Sequence, residues 1–390
     1  MEEPLKYYIS LGAGENQKPL IEAAKKKGYL VIGIDKNINA PALPICDLVI
    51  EESVTNYRKI AYKIGTSLIE GEIIGGFSAS YGKALLSWAF VCERYSLIGL
   101  SRTQTEILLD KLFVRKRLKQ AEPLHKFFAQ PNFAYYTPSG IHKRNIDALG
   151  YPLLVKTRHG FAKKNIFLAE NFDEVRKILT KKFLSKKEIA NEELLIENYI
   201  EADEITVTGF VENFKFNLIC ISDKITSKSP PFIELEHRFP SKYTDRLKTI
   251  EEIHQKIVDI LGISSTPIVS EWKVKDGMFY LIEISPQIPG EFIGDFLIPK
   301  ALNYDFFGNL VNLTTGEKTE KINFSSKMHE VLVKYQVKKP ADVESNLIKK
   351  NAFFYKILNE NPLEIPESNH DRYAATGFIN KEKKIKIDFK

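Results

Sequence analysis

Cysteine is scarce. Cys46, Cys92 and Cys220 lie far apart and form no C-x-x-C pair, which excludes a disulfide framework and a cysteine-rich zinc knuckle. No long apolar run exists either, because the most hydrophobic stretch, Ala84 to Leu100, is broken by Glu93 and Arg94. A membrane-spanning helix is therefore not expected, and the start, Met-Glu-Glu-Pro, has neither the basic nor the apolar region of a secretory leader. Charge of one sign is also missing. The 56 basic and 50 acidic residues of the 390 leave a net charge of +6, too small a bias to indicate a polyanionic partner. These absences point to a cytoplasmic protein with no nucleic acid or membrane partner.

The composition that remains, 44% hydrophobic and 11% aromatic, suits two or three packed domains. A short apolar strand from Tyr7 to Leu11 ends in Gly12-Ala13-Gly14 and is followed by a helical stretch to Lys27 and a second strand from Tyr29 to Asp35. Strand, turn, helix and strand make a βαβ unit and imply a parallel sheet. The pattern continues with strands at Leu48 to Ile50 and Ile73 to Phe77, and helices near Tyr57 to Ile69 and Lys83 to Arg94. Residues 1–102 read as one doubly wound α/β domain.

A helix carrying Asp110-Lys111 opens a second region of α+β character, residues 103–318. Within it, Tyr151 to Lys156 and Asn165 to Ala169 form a hairpin, and a lid subdomain covers about residues 125–192. Further strands span Glu193 to Ile200 and Glu204 to Val211, and a helix from Thr249 to Leu261 precedes a hairpin, Ile268 to Ile284, turned at Asp276-Gly277. Residues 319–390 form a small C-terminal β-containing unit, with strands at Glu330 to Val337 and Lys384 to Phe389.

The glycine turn invites a dinucleotide reading with Asp35 as ribose ligand, but Gln17 occupies the third glycine position of G-x-G-x-x-G. An NAD-dependent oxidoreductase is thereby disfavoured. Gly12 and Gly14 are instead candidates to bind an anionic substrate group through backbone N–H donors, or simply to allow a tight turn.

Four later segments make sense together as an ATP site. Lys111, at a helix start, and Lys156, at the end of Tyr151-Pro-Leu-Leu-Val-Lys156, have the charge to neutralise phosphate oxygens. The strand from Glu193 to Ile200 ends in a short linker whose backbone edge suits adenine, and a carboxylate beyond it suits ribose hydroxyls. Glu271 and Glu283, on the two arms of the hairpin, suit magnesium, a hard cation that takes oxygen ligands from one or two carboxylates and from phosphates. A two-residue loop would pair Glu271 with Ile282 and send the two carboxylates to opposite faces. The expectation is a three-residue loop with Gly277 left-handed, which puts both on one face.

In this order, the segments from Gly12-Ala-Gly14 through Asp110-Lys111, Pro152-Leu-Leu-Val-Lys156 and Glu283-Ile-Ser-Pro-Gln287 resemble the ATP-grasp superfamily, carboxylate-amine ligase branch, over about residues 7 to 318. The resemblance implies ATP and magnesium as cofactors and small carboxylate and amine substrates joined through an acylphosphate. Lys111 and Lys156 would bind phosphates, Glu197 and the backbone at Ile200 adenine, Glu204 ribose, and Glu271 with Glu283 the metal. Arg238, in Glu236-His-Arg-Phe-Pro240, is the candidate to stabilise the acylphosphate or hold the substrate carboxylate.

Three positions depart from the family pattern. The phosphate-covering loop reads Gly160-Phe-Ala-Lys163-Lys164-Asn165, giving Lys163 and Lys164 as phosphate contacts. Ser285 replaces an asparagine metal ligand, and Gln287 replaces an arginine. The alternative reading is accordingly a catalytically impaired nucleotide-binding or regulatory protein of the same fold. A homodimer is the default assembly.

Overall fold

The structure is a computed structural model that describes residues 4–67, 70–121, 124–136, 140–160, 165–184, 193–228, 230–324, 328–340 and 350–385. The expected phosphate contacts Lys163 and Lys164 lie outside the described residues.

The N-terminal region contains strands β1 (Lys6–Leu11), β2 (Leu30–Asp35), β3 (Leu48–Glu51) and β4 (Glu72–Phe77), alternating with helices α1 (Lys18–Lys26), α2 (Tyr57–Ser67) and α3 (Lys83–Tyr95). The strands are parallel in the order β3-β2-β1-β4. Residues such as Ile9 and Ile32 at the strand centres, and Phe77 at the end of β4, are buried, as the two covered faces of a parallel sheet require. The strand order reverses between β1 and β4, and open sheets of this kind bind ligands beyond the carboxyl ends of the strands at such a point.

Where one helix was expected to run through Asp110-Lys111, the chain breaks into two. Helix α4 (Arg102–Leu109) ends at Asp110, whose carboxylate then caps α5 (Lys111–Gln120) by accepting from the Phe113 N–H at 3.0 Å. An aspartate favours this capping position over a helix interior, and the break sets Lys111 at the first turn of α5.

Strands β5 (Phe128–Ala129) and β6 (Phe133–Tyr136), helix α6 (Lys143–Asp147), strands β7 (Leu153–Thr157) and β8 (Ile166–Ala169), helix α7 (Phe172–Ile178) and strand β9 (Leu194–Asn198) follow. Four of these strands form an antiparallel sheet in the order β6-β9-β7-β8. That sheet has a small core of its own around Leu153, Val155, Val175 and Ile196.

The largest sheet is built on β10 (Asp203–Glu212), β11 (Lys215–Thr226), β12 (Glu234–Phe239), β13 (Thr266–Lys275) and β14 (Met278–Ser285), with α8 (Leu247–Leu261) packed behind it. Helices α9 (Ile298–Leu302) and α10 (Phe306–Thr315) lead to β15 (Met328–Gln336), β16 (Phe354–Ile357) and β17 (Ala374–Ile385). The C-terminal strands continue this same sheet, in the order β16-β17-β15-β12-β11-β10-β13-β14-β5. The whole is a multidomain α/β and α+β architecture.

The hairpin between β13 and β14 differs from expectation in an instructive way. Lys275 pairs with Met278, so the loop has two residues, Asp276 and Gly277, at φ 50° and 77°. This is the Asp-Gly turn whose twist matches the flanking strands. Yet Glu271 pairs with Glu283, because a bulge next to Trp272 makes Ile282 an extra residue. The two glutamates reach one face through a bulge in the strand, and not through the turn. A bulge re-aims side chains in this manner.

Candidate functional site

Three elements supply a buried ionic floor. Glu197 projects from β9, Lys156 from β7 and Arg115 from α5. Lys156 Nζ lies 2.5 Å from one Glu197 oxygen, and Arg115 Nε donates to the other at 2.7 Å. Arg115 Nη2 also donates to the Ile282 carbonyl at 2.7 Å, tying the bulge to this floor. Burial alone would push the Glu197 carboxyl up, but Arg115 and Lys156 outweigh it and hold it below the usual carboxylate range. The Glu197 carboxylate is thus held by two cations at the wall of the adjoining cavity. Ile200 and Tyr199, just beyond β9, do line the adjoining cavity.

Lys111 stands at the α5 N-terminus, 3.1 Å from Glu283, and donates to the Gly160 carbonyl. Asp110, beside it, pairs with Arg158. These contacts fasten the start of the Gly160 loop to the metal-candidate strand.

A second buried cluster centres on Lys224 of β11. Its Nζ is 2.6 Å from Glu271, 2.8 Å from Glu234 and 3.3 Å from Glu204. Burial lowers the Lys224 pKa, but the three carboxylates outweigh it and raise the ammonium well above its ordinary value. Glu204 also meets Lys273 at 3.0 Å, so the candidate ribose ligand is held between two lysines.

Two cavities meet at these residues. A narrow one of about 80 Å³ is lined by Lys111, Lys156, Tyr199, Ile200, Glu204, Phe232, Lys273 and Ile282. Phe232 stacks on Tyr199 with ring centroids 5.5 Å apart. A wide one of about 710 Å³ is lined by His237, Ser285, Gln287, Glu291 and Arg372, and from the N-terminal region by Asn16, Tyr81 and Lys83. Lys111, Gly160, Glu271 and Glu283 line both, and so form their shared boundary. The wide cavity lies beyond the carboxyl ends of β1 and β4, the location that the strand order favours.

Among the expected residues, Lys111, Lys156, Glu197, Ile200, Glu204, Glu271, Glu283, Ser285 and Gln287 are brought together around these two cavities. Arg238 is not. Leu235 is an extra residue in the β11–β12 pairing, so Glu234 and His237 share the cavity face. Arg238 faces away, exposed, and its guanidinium is held by Glu236 at 2.7 Å. The arginine that lines the wide cavity is Arg372, two residues before β17, which the sequence reading missed together with Lys224, Lys273 and Phe232.

Gly12 and Gly14 line neither cavity. The Gly12 N–H donates to the Ile34 carbonyl at 2.8 Å, and the Ala13 N–H to Asp35 at 3.0 Å. Gly12, at φ 101°, makes the sharp exit from β1. The turn is a structural joint, and its donors at Gly12 and Ala13 are spent within the fold.

Two buried histidines give a stability signature. Burial pushes His237 and His254 from 6.5 down to about 4. Between those values the unfolded chain takes up protons that the folded chain refuses, so stability falls as the pH drops through that window. The thermal midpoint is expected to decline from pH 6.5 toward pH 4 and to be flat from pH 7 to 8. Replacing His254 with glutamine, which keeps a polar partner for Ser270, should make the decline shallower. An unchanged slope in that variant would contradict the assignment.

Among the described residues no cluster of three or more histidine, cysteine, aspartate or glutamate side chains is placed to hold a metal ion. The Glu271–Glu283 pair is therefore a two-carboxylate site, suited to a cation that is completed by ligand oxygens. No helix among the described residues is long and apolar enough to cross a membrane.

Residues 149–295 match the ATP-grasp domain family. A stretch of 150 residues is 30% identical to the D-alanine--D-alanine ligase of Petrotoga mobilis (strain DSM 10674 / SJ95), covering 36% of this chain and 47% of that protein. The match thus spans about half the length of that curated relative. Among solved structures, the L-amino acid ligase from Bacillus licheniformis superposes with a TM-score of 0.76 at 17% identity, covering 98% of this chain and 95% of that one. The N5-carboxyaminoimidazole synthetase from Staphylococcus aureus complexed with ADP gives 0.73 at 18%, covering 98% and 94%. Phosphoribosylglycinamide synthetase from Anaerococcus prevotii gives 0.71 at 16%, covering 97% and 94%. At these identities the structural likeness establishes the fold.

Proposed function

Since residues 149–295 match the ATP-grasp domain family, we propose that the chain is an ATP- and magnesium-dependent ligase that activates a small carboxylate as an acylphosphate and joins it to an amine. The observation that carries this reading is the Glu271–Glu283 cross-strand pair at the boundary between a cavity lined by Lys111 and Lys156 and a second, wider one. The narrow cavity suits a nucleotide. Lys156 and Lys111 supply positive charge for its phosphates, Tyr199 and Phe232 a flat apolar surface, and Glu204 a carboxylate for ribose hydroxyls.

The donor set fits magnesium. Two carboxylates share one face, the Ser285 hydroxyl is two residues beyond Glu283, and phosphate oxygens complete the coordination of a hard cation. Bound there, the metal would screen phosphate charge during transfer. Each carboxylate now touches a lysine, Glu283 to Lys111 and Glu271 to Lys224, so both acids are held in place.

In the reaction, an oxygen of the substrate carboxylate forms a bond to the γ-phosphorus while the bond to the β-phosphate oxygen breaks, leaving ADP. The amine nitrogen then bonds to the acyl carbon as the carbon–oxygen bond to phosphate breaks, and the amine loses a proton to solvent. Positioning and charge stabilisation are what the protein must supply.

The second reading, a binding protein without turnover, is favoured by Gln287, which brings no charge to the wide cavity. Arg372 offsets this by placing a cation on the same wall. Thermal unfolding with and without magnesium-ATP, with NAD as control, tests the nucleotide site. A ligand at 100 times its dissociation constant adds about 2.7 kcal/mol. A magnesium-dependent rise in the midpoint with ATP, together with phosphate release on addition of a carboxylic acid and an amine, is the expected result. A rise without release under any acid and amine pair would favour the binding protein.

A further inference from the structure

The two carboxylates of the metal-candidate pair are each held by a lysine, and the two lysines are themselves held very differently. Lys224 is only 1% exposed at its side chain and lines neither cavity. It serves Glu204, Glu234 and Glu271, which stand on β10, β12 and β13. When Glu271 turns to a metal, Lys224 keeps two carboxylates. Lys111 has one. Glu283 is its single carboxylate partner among the described residues, at 3.1 Å, and its other side-chain contact is the neutral Gly160 carbonyl.

The place of Lys111 sharpens the contrast. It is the first residue of α5, where the aligned peptide dipoles already concentrate positive charge and an ammonium is disfavoured without an anion beside it. Asp110 does not supply that anion, since its carboxylate caps the Phe113 N–H and pairs with Arg158. Glu283 does. Lys111 also lines both cavities and its side chain is 13% exposed, so it is within reach of an anion that enters the narrow one.

We propose that Lys111 is a displaceable counter-cation of the metal site: its ammonium closes the Glu271–Glu283 pair to a divalent metal until nucleotide phosphates draw it away from Glu283. The inference rests on the nucleotide and metal reading of the same site and adds an order of binding to it. Charge sets that order. The two glutamates are balanced by Lys111 and Lys224, so a divalent cation that enters alone brings uncompensated positive charge next to two ammonium groups. With phosphates present, Lys111 exchanges one anion for another at a helix N-terminus, where anions are favoured. Glu283 is then released to the metal, whose coordination the phosphate oxygens complete.

The test titrates the full chain with Mn2+ alone, a paramagnetic substitute for magnesium, and reads the free ion by electron paramagnetic resonance. Lys111→Met keeps the length of the side chain and removes its charge. It is expected to bind Mn2+ about tenfold or more tightly than the unaltered chain, since a like charge beside the metal is gone. Lys83→Met controls for the general field. Lys83 is exposed on the wide-cavity wall and makes no ion pair among the described residues, so its loss should change Mn2+ affinity by less than about twofold. Adding Glu283→Gln to Lys111→Met should remove the gain. Thermal unfolding gives a second readout. Mn2+ alone should leave the midpoint of the unaltered chain where it was and raise that of Lys111→Met, and Mn2+ with ATP should raise the midpoint of the unaltered chain. Equal Mn2+ affinity in the unaltered chain and Lys111→Met overturns the proposal. So does a gain that survives Glu283→Gln, or one of the same size in Lys83→Met. The nucleotide reading is scored separately. No shift of the unaltered chain with Mn2+ and ATP, beside a gain in Lys111→Met, would sink that reading and leave Lys111 as the cation that closes the metal pair. A shift with Mn2+ and ATP, beside equal Mn2+ affinities, does the reverse.

Discussion

Replacing Glu283 with glutamine is expected to lower turnover about 100- to 1000-fold while reducing nucleotide affinity far less. The substitution keeps size and one oxygen, and removes the charge that a divalent cation needs when its other ligands are phosphates. Lys111, 3.1 Å from Glu283, retains its bond to the Gly160 carbonyl, so the α5 N-terminus keeps an anchor. Glu283 is one-third exposed, and loss of its surface ion pair should alter stability by less than about 1 kcal/mol. The measurements are the rate of phosphate release and the magnesium-ATP thermal shift on the same preparation. Glu271→Gln should behave alike, since Lys224 keeps Glu204 and Glu234. A variant whose midpoint falls while its activity per folded molecule holds would show that these glutamates serve the fold.

Much of this site was legible because its parts are local. The apolar run and glycine turn after Tyr7, the Pro152-Leu-Leu-Val-Lys156 strand and the Asp-Gly hairpin each declare themselves within a few residues. The side on which side chains emerge was less so. It depends on two bulges, at Ile282 and Leu235, and neither residue marks itself as extra in the sequence. One bulge puts Glu283 beside Glu271 although the two-residue turn alone would not. The other turns His237 into the cavity and Arg238 out of it. Alternation with period two is a strong rule until one residue is inserted, and then every side chain beyond it changes face.

Arg372 and Lys224 were illegible for a different reason. Arg372 meets Glu291 and Glu234, residues 81 and 138 positions earlier, and the three carboxylates around Lys224 stand on β10, β12 and β13. Such clusters exist only once the large sheet has ordered its strands, and β17 reaches them by joining that sheet through β15. A lone basic residue in the sequence gives no sign of this.

Arg115 should separate structure from function at the same site. Removing one partner of a buried, hydrogen-bonded ion pair strands the other, at about 3 to 5 kcal/mol. Arg115→Met takes from Glu197 one of its two cations and from the Ile282 carbonyl its guanidinium donor, so the bulge that aligns Glu283 loses a support. Lys156→Met takes the other cation, yet leaves Glu197 with Arg115 and the bulge intact. Both variants should lower the thermal midpoint, the first by more because it also strands the Ile282 carbonyl. The magnesium-ATP shift should respond in the opposite sense, vanishing in Lys156→Met and surviving in the folded fraction of Arg115→Met. If both variants fell equally in midpoint and kept the nucleotide effect, Lys156 would be a structural cation like Arg115, and the phosphate charge in the narrow cavity would have to be met by Lys111 and Lys273.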